Sequence, residues 1–91
     1  MKYDKLFETA KIGSLTLKNR FIMGAMGVGF AEMNGNPTDR TVAYYEERAK
    51  GGYALIITEV TRVQDTEFCT PLEPSLGSDK FIPGWKKVTD A

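Results

Sequence analysis

Histidine is absent from the 91-residue sequence. Its absence removes the commonest general acid–base and the commonest metal ligand together, so any catalytic reading must find its proton donors elsewhere. Cysteine is nearly absent as well. Cys69 stands alone, which excludes an internal disulfide and a cysteine-built metal cluster within this chain. Net charge is also lacking, because twelve Lys plus Arg balance twelve Asp plus Glu. With no basic cluster either, nucleic acid and anionic membrane surfaces are not expected partners. No apolar run approaches a membrane span, and Met1-Lys2-Tyr3-Asp4-Lys5 leads into no stretch of signal-peptide character. A reducing, cytoplasmic setting is the expectation.

What remains is ordinary globular composition, 42% hydrophobic and 26% charged, which argues against disorder. Ile12, Leu15 and Leu17 flank Gly13-Ser14, a turn signal that predicts a short β-hairpin. The apolar run Phe21-Ile22-Met23-Gly24-Ala25-Met26 reads as a fully buried strand. A loop rich in Gly and Asn runs from Gly27 to Pro37, long enough to be functional. Thr38 then caps a predicted helix, Asp39 places negative charge in its first turn, and Gly51-Gly52 stop it. Val42, Tyr45 and Ala49 form its narrow buried stripe, with Arg40, Glu46, Glu47 and Lys50 facing water. Tyr53 to Val60 is the second strand, apolar at its centre. Strand, loop, helix and strand make one βαβ unit with a right-handed crossover and parallel pairing.

After Val60 the chain is irregular through Pro71, Pro74 and Gly77, and a second helix is predicted from near Pro83 to the last residue. Neither cap nor breaker closes that helix at Ala91, and two central-type strands need neighbours that this sequence does not hold. The expected fold class is therefore α/β: the first two βα units of an incomplete (β/α)8 barrel behind an N-terminal hairpin cap. The hairpin occupies about 10–18, the βαβ unit about 20–60, and a loop with a truncated second helix 61–91. A full barrel of this type takes roughly 250 residues, so the chain would be about its first third.

Several stretches, in order, resemble the opening of the Old Yellow Enzyme family of NADH:flavin oxidoreductases. They are Leu6-Phe7, Lys11-Ile12-Gly13, Leu17-Lys18-Asn19-Arg20-Phe21-Ile22-Met23, Tyr44-Tyr45, Arg48-Ala49, Gly51-Gly52 and Leu55 to Glu59. Leu76-Gly77-Ser78-Asp79 and Pro83-Gly84-Trp85-Lys86-Lys87 continue the series. Met26-Gly27 and the Arg-Ala-Lys-Gly-Gly helix end are most similar to the enoate reductase and 2,4-dienoyl-CoA reductase arm. The resemblance implies an FMN-dependent enzyme in which NAD(P)H reduces the flavin. The flavin in turn reduces an activated C=C bond of an unsaturated carbonyl, enoate or enoyl-CoA substrate. For that arm it also implies a 4Fe-4S cluster and FAD in the full-length protein, with no ligands for them in this chain.

In the family the flavin lies across the C-terminal ends of the barrel strands. The resemblance places Gly24, Ala25, Met26 and Gly27 under the isoalloxazine and the Val60 backbone at its edge. Ala25 replaces a usual proline, and Gly27 replaces a Thr or Cys that often reaches the flavin carbonyl. The family's proton donor, its carbonyl-holding His/His or His/Asn pair and its phosphate site come later than residue 91. No catalytic residue, no catalysis and no tight FMN binding are therefore expected of these residues alone. The remainder of the barrel is the expected partner; the oligomeric state is open.

Each site residue also has a plainer explanation. Gly24, Ala25 and Gly27 suit close packing, Met26 suits core filling, and Val60 suits any strand. Glu59 stands where a barrel carboxylate would, but it has no visible partner, and Tyr44 and Tyr45 read as structural. Gly27-Val28-Gly29 opens no helix and lacks the dinucleotide-binding spacing, and Asn34-Gly35 with Asn36-Pro37 reads as turn chemistry. The alternative to the flavoenzyme is a non-catalytic small α/β interaction or binding module, its apolar strands covered by a partner.

Overall fold

The computed structural model describes residues 2–64 and 72–91, so Cys69 and Pro71 lie outside the described residues. A short helix that the sequence pattern does not announce opens the chain, α1 (Asp4–Phe7). The Arg20 amide anchors this helix by donating to the Leu6 carbonyl at 3.0 Å. The rings of Phe7 and Phe21 meet at 5.6 Å between centroids.

β1 (Ala10–Ile12) and β2 (Leu15–Leu17) form an antiparallel pair with Ile12 opposite Leu15. That register leaves Gly13-Ser14 as a two-residue turn. Gly13 has φ 57°, the positive value that primed hairpin turns demand at their first central residue. Leu17 is buried, while Ile12 and Leu15 are exposed.

β3 (Ile22–Met23) and β4 (Leu55–Ile56) pair in parallel, Ile22 with Leu55 and Met23 with Ile56. Flanking bonds from Ala54 to Phe21 and from Ile57 to Met23, both 3.0 Å, extend the ladder by one step at each end. The apolar runs predict longer, fully buried strands, and the structure corrects both points. Regular pairing covers two residues in each run. Met23 is buried, but Ile22 and Ile57 are 45% and 49% exposed. The physical reason is that each strand pairs on one side only among the described residues, so the flanking residues have no ladder to join and no layer to cover them.

α2 (Asp39–Lys50) begins at Thr38 through a reciprocal capping box. The Thr41 amide donates to Thr38 Oγ1 at 3.3 Å and the Thr38 amide donates to Thr41 Oγ1 at 3.1 Å. Together they satisfy two donors that a helix start otherwise leaves orphaned. The helix stops at Gly51, whose amide bonds the Glu47 carbonyl at 3.0 Å. Gly52 then turns the chain at φ 112°, a conformation that costs a glycine nothing. Of the predicted stripe, Tyr45 is buried and Val42 packs on the core, but Ala49 is exposed. Fully buried Thr41 takes its share of the inner face instead, because the capping box and the loop beneath it cover the first turn rather than the last.

A 3-10 turn, Asp79–Phe81, leads into α3 (Ile82–Asp90), with Pro83 in its first turn where no intrahelical N–H is needed. Phe81, Trp85 and Val88 of this segment meet Tyr45 in the hydrophobic core, with Val42, Tyr44 and Ile56 packed against it. Trp85 Nε1 donates to the Ser75 carbonyl at 2.8 Å, so the polar end of a buried indole is satisfied. The core thus lies between the two long helices and one face of the parallel pair.

Candidate functional site

Two chain segments leave the C-terminal ends of β3 and β4 side by side. The parallel pairing of Ile22 with Leu55 and Met23 with Ile56 sends both segments out in the same direction. The side-by-side course is held by Glu59, whose Oε2 accepts from the Val28 amide at 2.7 Å. Glu59 is itself placed by the helix behind it, because its backbone N–H donates to the Tyr45 hydroxyl at 2.8 Å. A tyrosine of α2, the end of β4 and the loop after β3 are therefore joined through one glutamate.

Glu59 is 3% exposed, and its Oε1 has no hydrogen-bond partner among the described residues. Burial pushes its carboxyl above the usual carboxylate range, the Val28 and Gly29 amides pull back against that, and the charge of Glu73 adds to the rise. The Tyr45 hydroxyl is likewise raised, first by burial, so it stays protonated and polar at physiological pH.

Beyond Gly29 the loop is fixed to the segment after β4. The Ala31 amide bonds the Leu72 carbonyl at 3.2 Å and the Ser75 amide bonds the Gly35 carbonyl at 2.8 Å. Arg62 and Ser75 form a parallel bridge beneath it. Gly35 has φ 98°, and a side chain there would collide with the Arg62 guanidinium and lie 2.7 Å from Ser75 Cβ. The Asn34 side chain closes the turn by accepting from the Asn36 amide at 2.9 Å, so the Asn-Gly-Asn-Pro stretch is turn chemistry, as its composition predicts. Arg40 lies over the Phe30 ring at 4.2 Å, covering the outer side of the loop.

Between β3 and this anchored loop lies the strip expected from the sequence. Gly24, Ala25, Met26 and Gly27 are all exposed, Met26 by 60% and Val60 by 47%. A Cβ added at Gly24 or Gly27 would meet nothing within 4 Å. Their backbone groups make no hydrogen bond among the described residues. The Val28–Glu59 bond joins the residues that follow Gly27 and precede Val60. The sequence shows no partner for Glu59; its partners are backbone amides, which no residue pattern reveals. The one available signal is a carboxylate closing the apolar run Leu55-Ile56-Ile57-Thr58, where a charge needs compensation if buried.

A small parallel α/β unit whose unspent backbone gathers at the strand ends is what one sector of a barrel enzyme presents to its ligand. Residues 5–91 match the NADH:flavin oxidoreductase / NADH oxidase family, and the chain belongs to that family. It is 42% identical over 94 residues to the cinnamate reductase of Clostridium sporogenes, covering 98% of this chain and 14% of that protein. It is 38% identical over 88 residues to an NADPH dehydrogenase of Listeria monocytogenes, covering 96% of this chain and 26% of that protein. The Old Yellow Enzyme of Trypanosoma cruzi superposes with a TM-score of 0.87 at 34% identity, over 99% of this chain and 24% of that one. The fold is accordingly an α/β portion of a barrel, and the chain spans about a quarter or less of these relatives.

The family is that of FMN-dependent oxidoreductases, whose cofactor carries a planar ring system and a phosphate. A planar, largely apolar ring with polar edges needs a flat, open floor and free backbone donors and acceptors. Gly24 to Gly27 offer both, with Met26 and Val60 as apolar contacts. The phosphate of such a cofactor finds no basic cluster at this strip.

Proposed function

We propose that this chain supplies the first sector of an FMN-dependent NAD(P)H oxidoreductase of ene-reductase type, acting on activated C=C bonds. The observation that carries the reading is the exposed, unpaired backbone strip Gly24–Gly27 at the ends of the parallel pair, in a chain of this family. Bound FMN supplies two-electron transfer from the nicotinamide to the substrate. Gly24 and Gly27 let the backbone approach the ring closely, Met26 and Val60 cover apolar ring area from water, and amides of the strip orient the ring edge.

The substrate class is an unsaturated carbonyl compound, with an enoate or enoyl-CoA favoured by the likeness to a cinnamate reductase. Proton donation and carbonyl binding fall to residues outside this sequence, which has no histidine and no free acid at the strip. Tyr44 and Tyr45 are excluded as donors because both face the helix side, Tyr45 in the core and Tyr44 stacked edge-on against it at 5.1 Å. The 4Fe-4S cluster and FAD of the longer relatives in this arm would be held entirely beyond residues 1–91, whose single cysteine cannot build a cluster.

The test is made on the full-length protein that carries these residues. Stoichiometric FMN and NAD(P)H-dependent reduction of an enoate are expected. Gly27→Thr, whose Cβ enters open space, is expected to leave thermal stability unchanged while shifting the flavin absorption bands. A full-length protein that binds no flavin would favour the interaction module instead.

A further inference from the structure

The backbone of Gly24–Gly27 makes no hydrogen bond among the described residues, so something adjacent must fix its position. The three residues after Met26 are Gly27, Val28 and Gly29, and glycine on both sides of Val28 gives this stretch wide backbone freedom. Gly29 sits at φ 69° with open space around it, so packing does not hold it. Among the described residues, the stretch is tied by a side chain: Glu59 Oε2 accepts the Val28 amide at 2.7 Å.

We propose that Glu59 is a positioning residue for the cofactor floor: its carboxylate, by binding the Val28 amide, sets the height and tilt of Gly24–Gly27 beneath the flavin. The inference rests on the flavin reading and assigns to it a residue that touches neither cofactor nor substrate.

Three observations support the role. The carboxylate is buried at 3% exposure, so its bonds to the loop are little weakened by water competing for the same donors. Its own backbone is fixed, because the Glu59 N–H is held by Tyr45 Oη at 2.8 Å and Tyr45 is locked in the core between α2 and α3. The tether is also short, since Val28 adjoins Gly27 and Glu59 adjoins Val60, the two ends of the proposed floor. A carboxylate suits the task better than a neutral acceptor. Charge-assisted bonds are the stronger kind.

A purely structural carboxylate would change stability when replaced and leave the flavin alone. The discriminating experiment therefore reads the loop and the cofactor, not turnover. In the FMN-loaded full-length protein, amide hydrogen exchange at Val28 is expected to be slow. In Glu59→Met, close in size but without acceptors, that amide should exchange rapidly while Ala54 and Ile57 of the β3–β4 ladder stay protected. FMN affinity should fall about tenfold, the equivalent of one charge-assisted hydrogen bond. Glu59→Gln keeps an acceptor oxygen and is expected to retain most of both.

Three outcomes overturn the role: fast exchange at Val28 in the wild-type holoprotein, which needs no variant; Glu59→Met binding FMN as tightly as wild type; or Glu59→Gln losing as much FMN affinity as Glu59→Met. Wild-type protein that takes up no FMN sinks the flavin reading itself, a result distinct from a flavin-bound protein whose Val28 exchanges freely.

Discussion

The Tyr45 hydroxyl accepts the backbone N–H of Glu59 at 2.8 Å, across a sequence separation of 14 residues. A core side chain of α2 therefore ends the hydrogen-bond ladder of β4 where no further strand residue does. Removing the hydroxyl leaves a buried N–H with no acceptor. Tyr45→Phe is expected to destabilise the protein by about 1–2 kcal/mol, the usual cost of such an orphan. Urea denaturation measures it, and a midpoint equal to wild type would show the bond to be dispensable.

Stability should depend on pH through Glu59. Burial raises its folded-state carboxyl above the ordinary glutamate value of 4.5, so the folded protein binds this proton more readily than the unfolded chain. Stability from this group is then greatest below the unfolded value and is lost as pH rises through the raised folded value. Glu59→Gln removes that loss. Its unfolding midpoint should decline less than the wild type's from mildly acid to neutral pH. Parallel curves for the two proteins would contradict the assignment.

Gly35 gives a contrast with Gly13. Both have positive φ, but a Cβ at Gly35 would strike the Arg62 side chain and Ser75 Cβ, whereas at Gly13 it would meet nothing within 4 Å. Gly13→Ala is expected to cost about 1 kcal/mol, the backbone penalty alone. Gly35→Ala should cost clearly more, because it also displaces the bridge at Arg62 and Ser75. Thermal melts of the two variants compare them directly, and equal melting temperatures would place Gly35 in the same class as Gly13.

Thr38 serves twice, capping α2 through Thr41 and donating from its hydroxyl to the Phe30 carbonyl at 2.5 Å. Thr38→Ala loses both and should cost about 1–2 kcal/mol, at the upper end for an N-cap. Thr38→Ser keeps both oxygen-centred bonds and should recover most of it. A Ser variant no better than Ala would point to the lost methyl group instead.

Local chemistry makes much of the architecture legible from the sequence. The turn at Gly13-Ser14, the cap at Thr38 and the stop at Gly51-Gly52 each depend on neighbours within four residues, and the structure has all three. The inner face of α2 is less legible. Ala49 fits the helical period yet stays exposed, while Thr41 is buried by the loop that Gly35 and Ser75 pin across it. The strip Gly24–Gly27 is visible through resemblance rather than periodicity. The tie that Glu59 makes escapes both, since a carboxylate that binds a backbone amide 31 residues earlier leaves no mark in residue spacing.

The pairing of Met23 with Ile56 carries a consequence for how the chain folds. Those partners cannot meet until the whole intervening segment has doubled back, and the entropy of closing that loop is lost before any ladder bond forms. A preformed α2 shortens the effective loop, so whatever nucleates the helix also accelerates strand pairing. Substitutions at the Thr38–Thr41 cap should therefore slow refolding more than they speed unfolding, although neither residue lies in the sheet.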